Sequence, residues 1–142
     1  MTAKEYLLQV RKTKFNAENK QKQYERIRQS ITYLEGLRYD KDRVQTSPRD
    51  ALSEMMAELI DSESEVLQSL KEYNDIFNDC IDKINGLSKE EYVEILTRRY
   101  ICDDRDERRF ENISVAMGYS YYRTCHLHGE ALQEFEEKYL ST

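Results

Sequence analysis

The sequence predicts an all-α protein: a long antiparallel two-helix hairpin followed by a three-helix unit that contains a helix-turn-helix. Three observations carry this expectation. Among 142 residues only four are glycine and one is proline, so the chain has few places to turn. Charged residues make up 35 % and hydrophobic residues 39 %, a balance suited to helices with one buried face. Apolar residues also recur every three or four positions along most of the chain, which is the helical period.

The first helix is expected over residues 3–37. Leu7, Val10, Ala17, Tyr24, Ile27, Ile31 and Leu34 form its apolar stripe, interrupted by Lys14 and Gln21. The segment "LRYDKDRVQTSPRDAL" breaks the pattern, and Ser47 followed by Pro48 reads as an N-cap and a first-turn proline. In the second helix Leu52, Met56, Leu59, Glu63, Val66, Leu70, Tyr73, Phe77, Cys80 and Ile84 alternate spacings of four and three, as in a coiled-coil seam. Met55, Ile60, Leu67 and Ile81 lie beside that seam, so this helix is expected to touch more than one neighbour. Gly86 reads as its C-cap, which puts the end of a hairpin domain at residue 86 and a second domain over 87–142.

Shorter elements follow. Ser88 and Glu91 have the spacing of a capping box for a helix carrying Tyr92, Ile95, Leu96 and Tyr100 on one face. The run "CDDRDERR" reads as a charged loop. "FENISVAM" forms a short helix with Phe110, Ile113 and Met117 inward, Gly118 turns the chain, and Ser120 caps a last helix to about Tyr139. Leu127, Ala131, Leu132 and Phe135 form the buried face of that helix. Gly129, inside it, is expected to mark the close approach of another helix.

The short helix, the glycine turn and the capped second helix together have the form of a DNA-reading helix-turn-helix. Its exposed front is Ser120, Tyr121, Tyr122 and Arg123, with His126 one turn on. Tyrosine hydroxyls and arginine contact phosphates or base edges, and a tyrosine ring packs on a thymine methyl. Charge argues the other way, because residues 113–132 contain a single cation, Arg123. The net charge of −6 is unevenly spread: residues 1–48 hold 11 Lys and Arg against 6 Asp and Glu, 49–87 hold 3 against 10, and 88–142 hold 8 against 12. A basic helix beside an acidic one suits mutual pairing, or a basic arm that meets nucleic acid.

Residues 87–135, from "LSKEEYVEILTRRYI" through "FENISVAMGYSYYRTCHLHGEALQEF", resemble the fourth region of bacterial sigma factors. The whole chain looks like the RinA/ArpU-type late transcription regulators of phages of Gram-positive bacteria. The carriers of that resemblance are "MGYS" at Met117–Ser120 and "LHGEAL" at Leu127–Leu132. It implies binding to double-stranded DNA upstream of late or packaging genes, and activation through host RNA polymerase. Where the family carries several Lys or Arg on the recognition helix, this chain has Tyr121 and Tyr122, and the helix ends in "EFEEK". Phosphate contacts set most of the affinity, so such a reader binds weakly unless cations come from elsewhere. Arg98, Arg99, Arg105, Arg108 and Arg109 precede the motif and are the nearest source, with the basic first helix as another.

Other chemistry finds little support. Cys125 and His128 stand three apart, but no four-ligand spacing accompanies them, so no metal and no cofactor is expected. Cys80, Cys102 and Cys125 read as reduced thiols. Asp103, Asp104, Asp106 and Glu107 lack the spacing and glycine of a calcium loop. No phosphate-cradling glycine loop or nucleophile motif suggests an enzyme. Of the eleven tyrosines, Tyr6, Tyr24, Tyr33, Tyr39, Tyr73, Tyr92, Tyr100 and Tyr139 fit core edges. No apolar run is long enough for a membrane span and no secretion signal is present, so the bacterial host cytoplasm is the expected location. Two further readings share the pattern: a helical adaptor that docks on proteins without binding DNA, and a small DNA-packaging protein. The hairpin is the expected surface for polymerase contact or for a homo-oligomer.

Overall fold

A computed structural model describes residues 1–39 and 48–141. It is all-α, with no strand among the described residues: α1 (Ala3–Tyr39), α2 (Pro48–Asn85), α3 (Glu90–Leu96), α4 (Phe110–Met117) and α5 (Tyr121–Phe135). A π-helical turn, Thr97–Ile101, extends α3, and another, Glu136–Leu140, extends α5. These wide turns close with Cys102 N–H donating to the Thr97 carbonyl at 3.0 Å and Ser141 N–H to Glu136 at 2.8 Å. The Ser47 cap lies outside the described residues. No described helix is long and apolar enough to cross a membrane.

The compact units of the chain do not meet at Gly86. One comprises Met1–Lys12 with Asn74–Thr142, the other Thr13–Tyr73. The division runs through both long helices because their far ends carry the most buried side chains. Ala3, Leu7 and Val10 of α1, and Cys80 and Ile84 of α2, are at most 3 % exposed. They join Ile95, Leu96, Tyr100, Ile113 and Phe135 in the core of the first unit. Tyr6 packs on Phe135 at 5.7 Å between ring centroids, and Lys83 donates to the Tyr6 hydroxyl at 2.9 Å. Each large apolar side chain buried here contributes about 1.5–3 kcal/mol. Burial also pushes the Cys80 thiol up to about 11, so it stays protonated.

Local rules explain most of the ends, with two exceptions. Thr2 and Glu5 form a reciprocal capping box on α1: Thr2 N–H donates to the Glu5 carboxylate at 3.1 Å, and Glu5 N–H to the Thr2 hydroxyl at 3.2 Å. The box expected at Ser88 and Glu91 does not form. Lys89 is the N-cap of α3 without a side-chain cap, and the Ser88 hydroxyl and amide both donate to Glu134 of α5. That capture holds the Glu134 carboxyl below its ordinary range. One glycine also takes a role expected of another. Gly118 is the one described residue with a left-handed backbone, so Gly86 ends α2 without a left-handed cap. A Cβ on Gly86 would run into the Tyr139 hydroxyl, whereas nothing approaches the exposed Gly129. The close contact expected at Gly129 is therefore at Gly86.

In the Thr13–Tyr73 unit, α1 and α2 pack antiparallel, with Lys20 and Glu65 paired at 3.2 Å. Ala17 and Ile31 are buried, and Tyr24, Ile27 and Leu34 are half-buried as the α1 stripe predicts. On α2 Leu52, Leu59, Val66, Tyr73, Phe77, Cys80 and Ile84 of the predicted seam are buried or half-buried, and at the three other seam positions the buried line runs one residue earlier. Ser62 and Ser69 are buried and Met55 is half-buried, while Met56, Glu63 and Leu70 face solvent. The Ser69 hydroxyl is satisfied by the Val66 carbonyl at 2.9 Å, which removes the penalty of burying it. Tyr33, expected at a core edge, is 68 % exposed.

Candidate nucleic-acid interface

The turn between α4 and α5 is set by main-chain chemistry. Gly118 adopts φ 74°, ψ 26°, and Tyr119 N–H reaches back to the Ser114 carbonyl at 3.0 Å, a Schellman closure. Ser120 is the N-cap of α5, and its hydroxyl accepts from Arg123 N–H at 3.1 Å. Both features follow the sequence reading. The corner is held by Ile113 and Leu127, which are 0 % and 4 % exposed, with Met117 half-buried beside them. Thr124 is fully buried too and donates to the Ser120 carbonyl at 2.9 Å. The predicted buried face of α5 begins only at Leu127, although Thr124 continues the Leu127, Ala131, Phe135 line one turn earlier.

The last helix is clamped from behind by His128. The Tyr100 hydroxyl and His128 Nε2 share a 2.8 Å hydrogen bond, and the Phe110 ring meets the imidazole edge-on at 5.0 Å. Burial, then the charges of Arg99 and Lys4, push this imidazole down to about 4. It is neutral at neutral pH, which suits a packing role better than phosphate contact.

The residues assigned to recognition lie on the outward side of α5. Tyr121 is 53 % and Tyr122 81 % exposed, and the side chains of Arg123 and His126 are 58 % and 66 % exposed. The Tyr122 and His126 rings are nearly parallel, 6.4 Å apart. Arg123 lies over the Tyr119 ring at 4.7 Å and 3.9 Å from Glu91, while Tyr119 donates to that same carboxylate at 3.0 Å. His126 pairs with Glu130 at 2.9 Å. The one reader cation is thus partly offset by a neighbouring carboxylate, in a loose exposed pair worth little on its own.

The arginines ahead of the motif differ in placement. Arg109 is exposed and caps α4 with its carbonyl, which accepts from Ile113 N–H at 2.9 Å. Arg108 is half-buried. Arg98 is paired with Glu94 at 3.1 Å. The acidic loop between them builds turns: Asp106 N–H donates to the Asp104 carboxylate at 2.9 Å, and Asn112 donates to the Asp106 carbonyl at 2.6 Å. No group of three or more potential metal ligands occurs among the described residues. Comparisons with protein-family models, with curated proteins and with solved structures give no match.

Proposed function

We propose that this chain is a DNA-binding transcriptional regulator of the RinA/ArpU late-regulator type, reading double-stranded DNA through a sigma-like helix-turn-helix. One observation carries the reading: α5 follows a left-handed glycine turn, starts on a serine cap, and leaves Tyr121, Tyr122, Arg123 and His126 uncovered at its front. Such a front edge suits entry into a major groove. With few cations on α5, affinity is modest, and the salt dependence comes from arginines outside the helix. Activation of late or packaging genes fits a reader that host RNA polymerase holds in place, because linked contacts multiply. Selection of bound sequences from a random duplex library at low salt tests this. An enriched motif, lost on Tyr122→Ala with Arg123→Ala in a folded protein, is the expected result. No enrichment and no gel shift at low salt overturns it.

A protein-docking role has its own support on α2. Met56, Ile60, Leu67 and Leu70 are 48 %, 67 %, 63 % and 37 % exposed, and their helical spacing makes one stripe centred on Glu63. Ser53, Ala57 and Ser64 flank the stripe, so a partner helix can approach closely. We assign the stripe to a second copy of the chain. Reversed about Glu63, Met56 comes opposite Leu70, and Ile60 lies one residue out of register with Leu67, within reach across a two-fold contact. The acidic side chains of α2 other than Glu63 lie off this line. A homo-oligomer through the hairpin would present two readers to one operator.

A further inference from the structure

Three arginines from separate parts of the chain meet beside α5. Arg11 lies in the third turn of α1, Arg99 in the π-helical turn after α3, and Arg108 in the loop before α4. Main-chain carbonyls thread them together. An Arg11 Nη donates to the Arg99 carbonyl, and an Arg99 Nη donates to the Arg108 carbonyl at 2.6 Å. Arg11 also lies over the Tyr100 ring at 5.6 Å, and Arg99 over Phe110 at 4.3 Å. All three are half-buried. Arg11 Nε is buried with no hydrogen-bond partner among the described residues. Burial, followed by the charges of Arg108 and Arg99, lowers the Arg11 pKa, and only Tyr100 acts in the opposite sense.

This arrangement does more than cap a helix. The Arg11 bond to the Arg99 carbonyl serves as a cap, and it uses a fraction of the five donors of that guanidinium. The Arg99 bond to the Arg108 carbonyl fixes the backbone of residue 108, but neither bond accounts for a third guanidinium charge acting on Arg11, where like charges repel in partly desolvated surroundings. An anion shared among the three reverses that repulsion, and forked guanidinium donors match phosphate oxygens. The location is also informative. Arg99 lies over the Phe110 ring, and Phe110 in turn meets His128 of α5, so the cluster stands beside the reader helix.

We propose that Arg11, Arg99 and Arg108 form a phosphate-binding notch that takes a phosphodiester of the duplex backbone while the front of α5 lies in the adjacent groove. The assignment to a duplex rests on the DNA-binding reading above; the notch itself rests on the arginine geometry. It supplies cations that α5 lacks, and it makes the first turns of α1 part of the interface. Free phosphate and a backbone phosphodiester share the same chemistry, so the test has one arm for each.

In the first arm, the melting temperature of the full chain is compared in sodium phosphate and sodium chloride at matched pH and ionic strength. Phosphate raises it for the parent, and Arg108→Gln abolishes the rise. Arg108 is the cleaner variant, because only its carbonyl takes part in the hydrogen-bond chain. Arg11→Lys, which keeps charge but loses the fork, retains only part of the rise. In the second arm, the slope of log affinity for duplex against log salt becomes shallower by about 1 in Arg108→Gln, the loss of one phosphate contact. No phosphate effect on the parent, or an undiminished effect in folded Arg108→Gln, overturns the notch. A phosphate effect that Arg108→Gln removes, without any duplex binding at low salt, upholds the notch and overturns the DNA-binding reading instead.

Discussion

Acid should loosen the reader by charging His128, and the size of the effect follows from its surroundings. The imidazole is held at about 4 against an ordinary value of 6.5, chiefly by burial and then by Arg99 and Lys4. A lowered folded-state pKa means that the unfolded chain binds the proton more readily. This contribution is therefore complete above about pH 6.5 and is lost as pH falls towards 4. At 1.36 kcal/mol per pH unit the gap corresponds to about 3 kcal/mol, or about 2 kcal/mol once water contact with the half-buried ring is discounted. Roughly half of that falls between about pH 7 and about pH 5. Urea unfolding of the parent and of His128→Gln across this range measures it. Glutamine does not titrate, so its constant cost drops out when only the change with pH is compared. Carboxylates such as Glu134, also lowered by its partner Ser88, contribute equally to both proteins and cancel. The parent should lose about 1 kcal/mol more than the variant on acidification. Parallel profiles would show that His128 is not the neutral clamp between Tyr100, Phe110 and α5.

Gly129→Ala should raise stability by about 1 kcal/mol, since the site is open and alanine is the better helix former, whereas Gly86→Ala should lower it by displacing Tyr139 from Phe135. Chemical denaturation of the two variants checks both signs. Ser120→Ala should cost about 1 kcal/mol through loss of the α5 cap, and Gly118→Ala about 1–2 kcal/mol through the left-handed backbone alone, with Gly118→Asn recovering part of it. Thermal melts of the three variants test this, and an unchanged Gly118→Ala melt contradicts the turn geometry. Ile60→Glu with Leu67→Glu should leave helicity intact and shift the chain to monomer in sedimentation, while Glu63→Leu should tighten self-association. Identical sedimentation of all these variants contradicts the α2 stripe as a contact between copies.

Two identical sequence patterns show how far local reading reaches. Thr2-Ala-Lys-Glu5 and Ser88-Lys-Glu-Glu91 both have capping-box spacing, yet only the first forms one. At the second, Glu134 from α5 takes the Ser88 donors and Glu91 accepts from Tyr119. A carboxylate distant in sequence competes with the local partner and wins, and no local rule contains that information. The α2 seam shows the same limit. Leu59 and Val66 are half-buried as the seam predicts, but at Met55 and Met56 two adjacent apolar residues compete, and the helical period alone does not choose between them. Packing selected the line that buries Ser62 and Ser69, whose small side chains allow close helix approach. Arg11 was hidden for a different reason: 88 positions separate it from Arg99.

From the sequence alone came the helical class, the order of the elements, the turn at Gly118, the Ser120 cap and the residues at the exposed front of α5. All of these depend on interactions within a few positions of each other along the chain. The tertiary structure decided which residues fill alternate turns of the α2 seam, which glycine meets a neighbour, where the compact units divide, and which arginines stand together. Those outcomes depend on competition between groups far apart in sequence for the same space and the same hydrogen bonds, and that competition exists only once the helices are packed.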